Sequence, residues 1–129
     1  MSTEDTTFQD IIQNLFESQV YAHVNHLNTR VYAIHKALGS YYEGIVEHID
    51  ELAELYMGER GPNYSLQMPT SIEIPQSFDD DSPHLYFADL ADVLSDMIST
   101  GIFTEVFSDR LRATIAFIRS TVYLLSRLS

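Results

Sequence analysis

The chain has no cysteine. That excludes disulfides, a thiolate zinc site and a cysteine nucleophile, and it is compatible with a reducing compartment. Basic residues are scarce: seven Lys and Arg stand against 19 Asp and Glu, a formal net charge of −12. Only Arg30, Lys36 and Arg60 fall before position 110, whereas positions 110–129 hold four Arg and no acid. Most of such a surface repels a phosphate backbone, so nucleic acid is not an expected partner, and cations are the ligands this balance favours. No apolar run approaches the roughly 20 residues that span a bilayer, so no membrane contact is expected. The opening MSTEDTT is acidic and polar and does not read as a signal or transit peptide, which leaves the cytoplasm as the expected location. A glycine-rich phosphate loop, an HExxH motif and a serine on a strand-to-helix elbow are all missing. No Glu has a His three residues later, so the paired ExxH of single-chain di-iron bundles is missing too.

What is there suits one all-α domain: 129 residues, 45% of them hydrophobic, with four segments of three- and four-residue apolar period. The first, about 6–27, carries Phe8, Ile11, Ile12, Leu15, Phe16 and Val20, and Asn28-Thr29-Arg30 breaks it with capping chemistry. The second, 31–58, has the strongest period: Val31, Ile34, Leu38, Tyr41, Ile45, Ile49, Leu52 and Tyr56, stopped by Gly61-Pro62. Residues 61–82 hold three of the four Pro and no helical period. Ser82-Pro83 predicts an N-cap and a first-position proline for a third helix over 83–100, closed by Thr100-Gly101. The fourth, 103–128, carries Phe107, Leu111, Ile115, Ile118, Val122 and Leu125, with all four late Arg, which suits a helix C-terminus.

Loop lengths then predict a topology. Short breaks make helices one and two, and three and four, antiparallel neighbours. Helix two is roughly 40 Å long at 1.5 Å per residue. The 61–82 loop reaches up to roughly 70 Å when extended, enough to return along the whole bundle. The expectation is a four-helix bundle with one long crossover between helices two and three, the ferritin-like arrangement. Tyr41, Tyr42 and Val46 beside Ile45 and Ile49 put apolar side chains on more than one face of helix two, which predicts a homo-oligomer. A two-fold dimer is its minimum, and a larger shell is open to the same chain.

Candidate chemistry lies on the first two helices. His23 and His26 are three residues apart and share a face. Helix two offers His35, then Glu43, Glu47, Asp50 and Glu54. Those four acids fall within roughly 60° of arc at 100° per residue. Imidazole with carboxylate suits iron, manganese or zinc. A plainer reading stands beside it: the acids form a solvated face, His23 and His26 complement the helix dipole, and His35 is half-buried beside the core. Glu47, Glu51 and the Asp89, Asp92, Asp96 row read as solvated. His48 and His84 have no evident partner. Tyr32, Tyr41 and Tyr42 read as packing or interface residues.

Residues 21–61, YAHVNHLNTRVYAIHKALGSYYEGIVEHIDELAELYMGERG, resemble the miniferritins, the Dps-like branch of the ferritin-like superfamily. From His35 onward the same segment is similar to small ferritin-like proteins of tailed phages, as are the IEIP loop segment and the VYLLSRL end. The family pattern is a His at the end of helix one, a second His twelve residues on, an Asp four later, then an Asp and a Glu four apart. His23 and His35 have the first spacing, and Asp50 and Glu54 have the last. The resemblance implies Fe(II) binding and oxidation by oxygen or peroxide, a ferroxidase activity, at sites between two subunits across a two-fold axis. His23 and His35 would come from one subunit, Asp50 and Glu54 from the other. Two positions depart: the middle Asp falls at Gly39, and the Trp after the first His is Val24. Glu43, one turn further on, and His26 are the candidates to replace the lost carboxylate. The alternative is that the site is lost and the scaffold serves a phage as a structural or host-interaction module, in the host cytoplasm with a host protein as partner. A third reading, a DNA mimic, rests on the net charge alone. DNA binding through a basic tail is not carried over, since the chain starts with Glu4-Asp5.

Overall fold

The computed structural model describes residues 2–128, and among them there are four helices and no strand. Helix α1 spans Thr3–Asn28, α2 Tyr32–Arg60, α3 Leu85–Ser99 and α4 Glu105–Arg127. The order follows the apolar periods, and the ends follow the caps. α1 begins at Thr3 rather than near 6, because Ser2 Oγ accepts the Asp5 N–H at 3.0 Å and Glu4 and Asp5 complement the dipole in the first turn. α2 is displaced to 32–60, with Val31 ahead of it and Gly61 closing it at φ 104. α3 begins at Leu85, not 83: Ser82 and Pro83 lie in a turn, and His84 takes the N-cap position. α4 begins at Glu105, not 103, because Thr104 Oγ1 accepts the Phe107 N–H at 3.1 Å. Of the late arginines only Arg127 lies in the last turn of α4. Arg110 instead pairs with Glu51 across the α2–α4 contact, and Arg112 with Asp109. Glu51 and Asp92 are thus ion-paired, the latter with Arg119, rather than merely solvated.

Contacts between helices fix their directions. Asp5 meets Arg60, Phe8 meets Tyr56, Ser18 meets Tyr41 and His26 meets His35, so α1 and α2 are antiparallel. Thr104 meets Glu59, Arg110 meets Glu51 and Phe117 meets His48, so α2 and α4 are antiparallel too. Phe87, near the start of α3, packs on Tyr41 and Tyr21. The segment between α2 and α3 has no regular structure, yet it is tied down along α1. Tyr64 accepts from Gln9 (2.7 Å), the Ser71 carbonyl from Gln13 (3.0 Å), and the Glu73 N–H donates to Glu17 (2.9 Å). Phe78 then reaches Tyr21, and Asp80 accepts from Thr29 at 2.7 Å. These bonds satisfy loop backbone and side chains that a free loop would leave to water.

The core lies where the four helices converge. Phe8, Tyr41, Tyr56, Phe87 and Phe107 are fully buried, with the Phe8 and Tyr56 rings stacked at 3.9 Å. Tyr41 shares a 2.8 Å hydrogen bond with Ser18, and burial pushes its phenol upward from the usual value. Tyr41 therefore belongs to the core, as its place in the α2 apolar period predicts, and does not add to a second apolar face of α2 as was also expected. No helix among the described residues is long and apolar enough to cross a membrane.

Candidate metal site at the imidazole end

The α1–α2 hairpin has two ends, and each is held by a polar device. At the open end, Asp5 is nearly buried. Arg60 grips it with two bonds of 2.8 Å, and the Tyr56 hydroxyl donates to it at 2.6 Å. The Arg60 guanidinium first, and the Tyr56 hydroxyl second, hold the Asp5 carboxyl far below the ordinary carboxylate range. Burial, with Asp5 alongside, pushes the Tyr56 phenol up.

At the turn end the device is a pair of imidazoles. The α1 helix runs out at Asn28, the Thr29 hydroxyl accepts the Val31 N–H at 3.2 Å, and α2 starts within three residues. This tight turn sets His26 and His35 face to face, with ring centroids 3.8 Å apart and planes 16° from parallel. His26 Nδ1 lies 2.5 Å from the His35 carbonyl oxygen, and His35 Nδ1 lies 2.7 Å from the His26 carbonyl oxygen. A carbonyl only accepts, so each Nδ1 carries a proton and donates it. Neither Nε2 has a hydrogen-bond partner among the described residues, and neither is buried. Gly39 provides the room: a Cβ there would sit 2.9 Å from His26 Cε1 and 3.0 Å from its Nδ1. His26 thus fills the space a side chain at position 39 would need.

The other expected donors are spread out. His23 is exposed and stacks on Tyr42 at 4.0 Å, and its ring centroid is 6.4 Å from that of His26. Glu43, Asp50 and Glu54 are exposed on α2. At 1.5 Å rise per residue they lie about 12, 22 and 28 Å along the helix from His35. Glu54 borders a groove of about 600 Å³ between α2 and α4, with Glu51, Asp109 and Arg110. No group of three or more His, Asp or Glu able to hold one ion occurs among the described residues. The six expected ligands do not meet within one chain. The stacked pair adds a constraint. Two nearly parallel rings 3.8 Å apart hold their in-plane lone pairs in separate, nearly parallel planes. An ion about 2.1 Å from each nitrogen cannot lie in both planes, so the rings must separate before they share one.

Of the two further histidines, His48 acquires neighbours that spacing did not reveal. His48 Nδ1 lies 3.1 Å from Thr114 Oγ1, and its ring stacks on Phe117; burial lowers its pKa. His84 Nδ1 is buried without a hydrogen-bond partner among the described residues. Sequence reading also missed the Asp5–Tyr56–Arg60 network, whose members are 51 and 55 residues apart and carry no local pattern.

Comparison with known proteins places the chain in a family. Residues 26–125 match the family of unknown function DUF5856, which covers most of the chain, and the protein belongs to that family. The match starts at His26, so it takes in the imidazole pair and the α2 acids and leaves His23 outside. The chain is also 33% identical over 61 residues to an uncharacterized 14.6 kDa protein in the mobD-ri intergenic region of Enterobacteria phage T4. That similarity covers 47% of this chain and 48% of the phage protein, so the chain matches about half the length of that curated relative. No solved structure matches the chain.

Proposed function

We propose that this protein is a ferritin-like bundle, with residues 61–84 as its crossover, that binds divalent iron between two copies of itself. His23, His26 and His35 of one copy supply nitrogen donors, His26 and His35 together only once their stacked rings part. Asp50 and Glu54 of the other supply carboxylates, and Glu43 is a reserve donor. The ladder of loop contacts along α1, from Gln9 to Thr29, supports the crossover. The observation that carries the metal reading is the reciprocal pair of Nδ1 bonds. They fix the tautomer of both rings and leave each Nε2 lone pair unused at the surface. A second bond from the other ring nitrogen to a carbonyl is what metal-binding imidazoles normally make. His26, lying over Gly39, stands in for the carboxylate that the miniferritin pattern has at that position. Fe(II) is the substrate of this reading. Oxygen or peroxide takes one electron from each ion.

Anaerobic titration with Fe(II), followed by admission of oxygen, tests it. The wild type takes up a stoichiometric amount and then develops ferric absorbance, and His35→Ala does neither. Equal behaviour of the two proteins removes the reading. Manganese and zinc, run in parallel, report which ion the donors prefer.

A second reading is favoured by the stacking itself. Rings packed at 3.8 Å and nested on Gly39 serve as a permanent clasp of the hairpin. The chain is then an inactive bundle that works by binding a host protein. Here His35→Ala lowers stability, while wild type and variant both carry only traces of metal.

A further inference from the structure

We propose that a second copy of this chain docks, about a two-fold axis, on the uncharged outer face formed by the middle of α1 and the first half of the 61–84 loop. Residues 11–29 and 61–72 together contain one charged side chain, Glu17, and it is buried at 7% exposure. The rest of the chain carries all the other charges of a protein at −12. The same window is apolar and open. Val20, Val24 and Leu27 project from α1, Leu27 being 68% exposed, and Met68 (85%) and Ile72 project from the loop. Phe16 and Val20 line a groove of about 500 Å³ with Met68 and Ile72.

The charge pattern names the occupant. Two copies of a strongly acidic chain repel wherever their acids face each other. This window is a face on which they approach without that cost, and it lacks the four Arg that repel one another on the acid-free end of α4. A basic partner would gain nothing here and would settle on the acid rows of α2 and α3.

Register along the hairpin points the same way. The Gln67 N–H bonds the Gln9 side chain, so Met68 lies beside the first third of α1, while Leu27 lies one residue from its end. The midpoint of the apolar strip is near Ser18. An isologous interface turns one half of a surface onto the other about its midpoint. On α2, Tyr41 lies beside Ser18 and Tyr56 beside Phe8. Asp50 and Glu54 therefore sit on the open-end side of Ser18, and His23, His26 and His35 on the turn side. An axis at Ser18 turns the acid-bearing end of one copy toward the imidazole-bearing end of the other. This last step deepens the iron reading and rests on it; the docking surface itself does not.

The absence of cysteine supplies the experiment. A residue beside a two-fold axis meets its own copy, and a disulfide needs Cα atoms within about 7 Å. Val20→Cys, mildly oxidised in EDTA, forms a covalent dimer at least roughly tenfold faster than Val106→Cys, an equally simple change on exposed α4. Light scattering in EDTA gives the wild type a dimer mass or an even multiple. Val20→Glu, with unchanged helix content, weakens that association by at least about tenfold. A monomeric wild type, equal cross-linking at the two positions, or an unaffected Val20→Glu overturns the proposal. A dimer in EDTA whose wild type takes up no iron removes the iron reading and leaves the surface standing.

Discussion

The two ends of the α1–α2 hairpin are closed in opposite ways. At the open end a guanidinium and a phenol converge on one carboxylate: Asp5 takes two bonds from Arg60 and one from Tyr56. At the turn end two imidazoles grip the opposite backbone through one nitrogen each and keep the second nitrogen spare. In the first arrangement the carboxylate is buried and committed to its two partners. The second closes the hairpin and still presents two donors. The difference separates a structural lock from a lock with unspent chemistry, although both look like polar side chains at a helix end.

The largest effect expected from breaking this comparison is at the open end. Phe8 stacks on Tyr56 and is fully buried, so Phe8→Ala removes the packing under the Asp5 network and costs about 3–5 kcal/mol in urea unfolding. The second effect is at the turn end. Gly39→Asp drives the His26 ring from its seat, because the new Cβ would lie 2.9 Å from it. Its cost is about 1–2 kcal/mol for the lost bond and stack. In the iron reading the same change raises metal affinity, because it returns a carboxylate and parts two rings that cannot share an ion while stacked. Calorimetry of folding and of Fe(II) binding separates the two outcomes, and a variant that loses stability without gaining affinity speaks for the permanent clasp. The smallest effect concerns acid. The Asp5 carboxyl is held below its ordinary value near 3.8, so the unfolded chain binds the proton first. Its contribution is present in full above that value and is lost as pH falls below it. Asp5→Asn therefore flattens the decline of melting temperature below about pH 4, while leaving the profile nearer neutrality parallel to wild type.

Helices, their order and the core stripe were legible because a 3.6-residue period survives in the letters: Ile34, Leu38, Tyr41, Ile45, Ile49, Leu52 and Tyr56 are all buried, and only Val31, at the N-cap ahead of α2, is exposed. Helix starts were less so, since Ser2 and Thr104 cap through side-chain geometry that apolar spacing does not register. The candidate donors were found by type and spacing. Their state was not: the His26–His35 stack is made of bonds to backbone carbonyls, which every residue has and no sequence marks. Gly39 looked like a loss because its partner, the His26 ring, comes from the other helix. Tyr41 belonged to the core stripe and was also counted toward a second apolar face of α2; burial and a bond to Ser18 leave only the first of these.

Complementation between two damaged chains tests the central claim most directly. His35→Ala lacks the imidazole half of each shared site, and a chain with Asp50→Asn and Glu54→Gln lacks the carboxylate half. Each alone binds no Fe(II) stoichiometrically. Mixed in equal amounts and allowed to exchange, half of the two-fold dimers are hybrids, and each hybrid holds one intact site, so about one quarter of the wild-type capacity returns. A mixture that binds no more iron than its two components contradicts a site built from imidazoles of one copy and carboxylates of another.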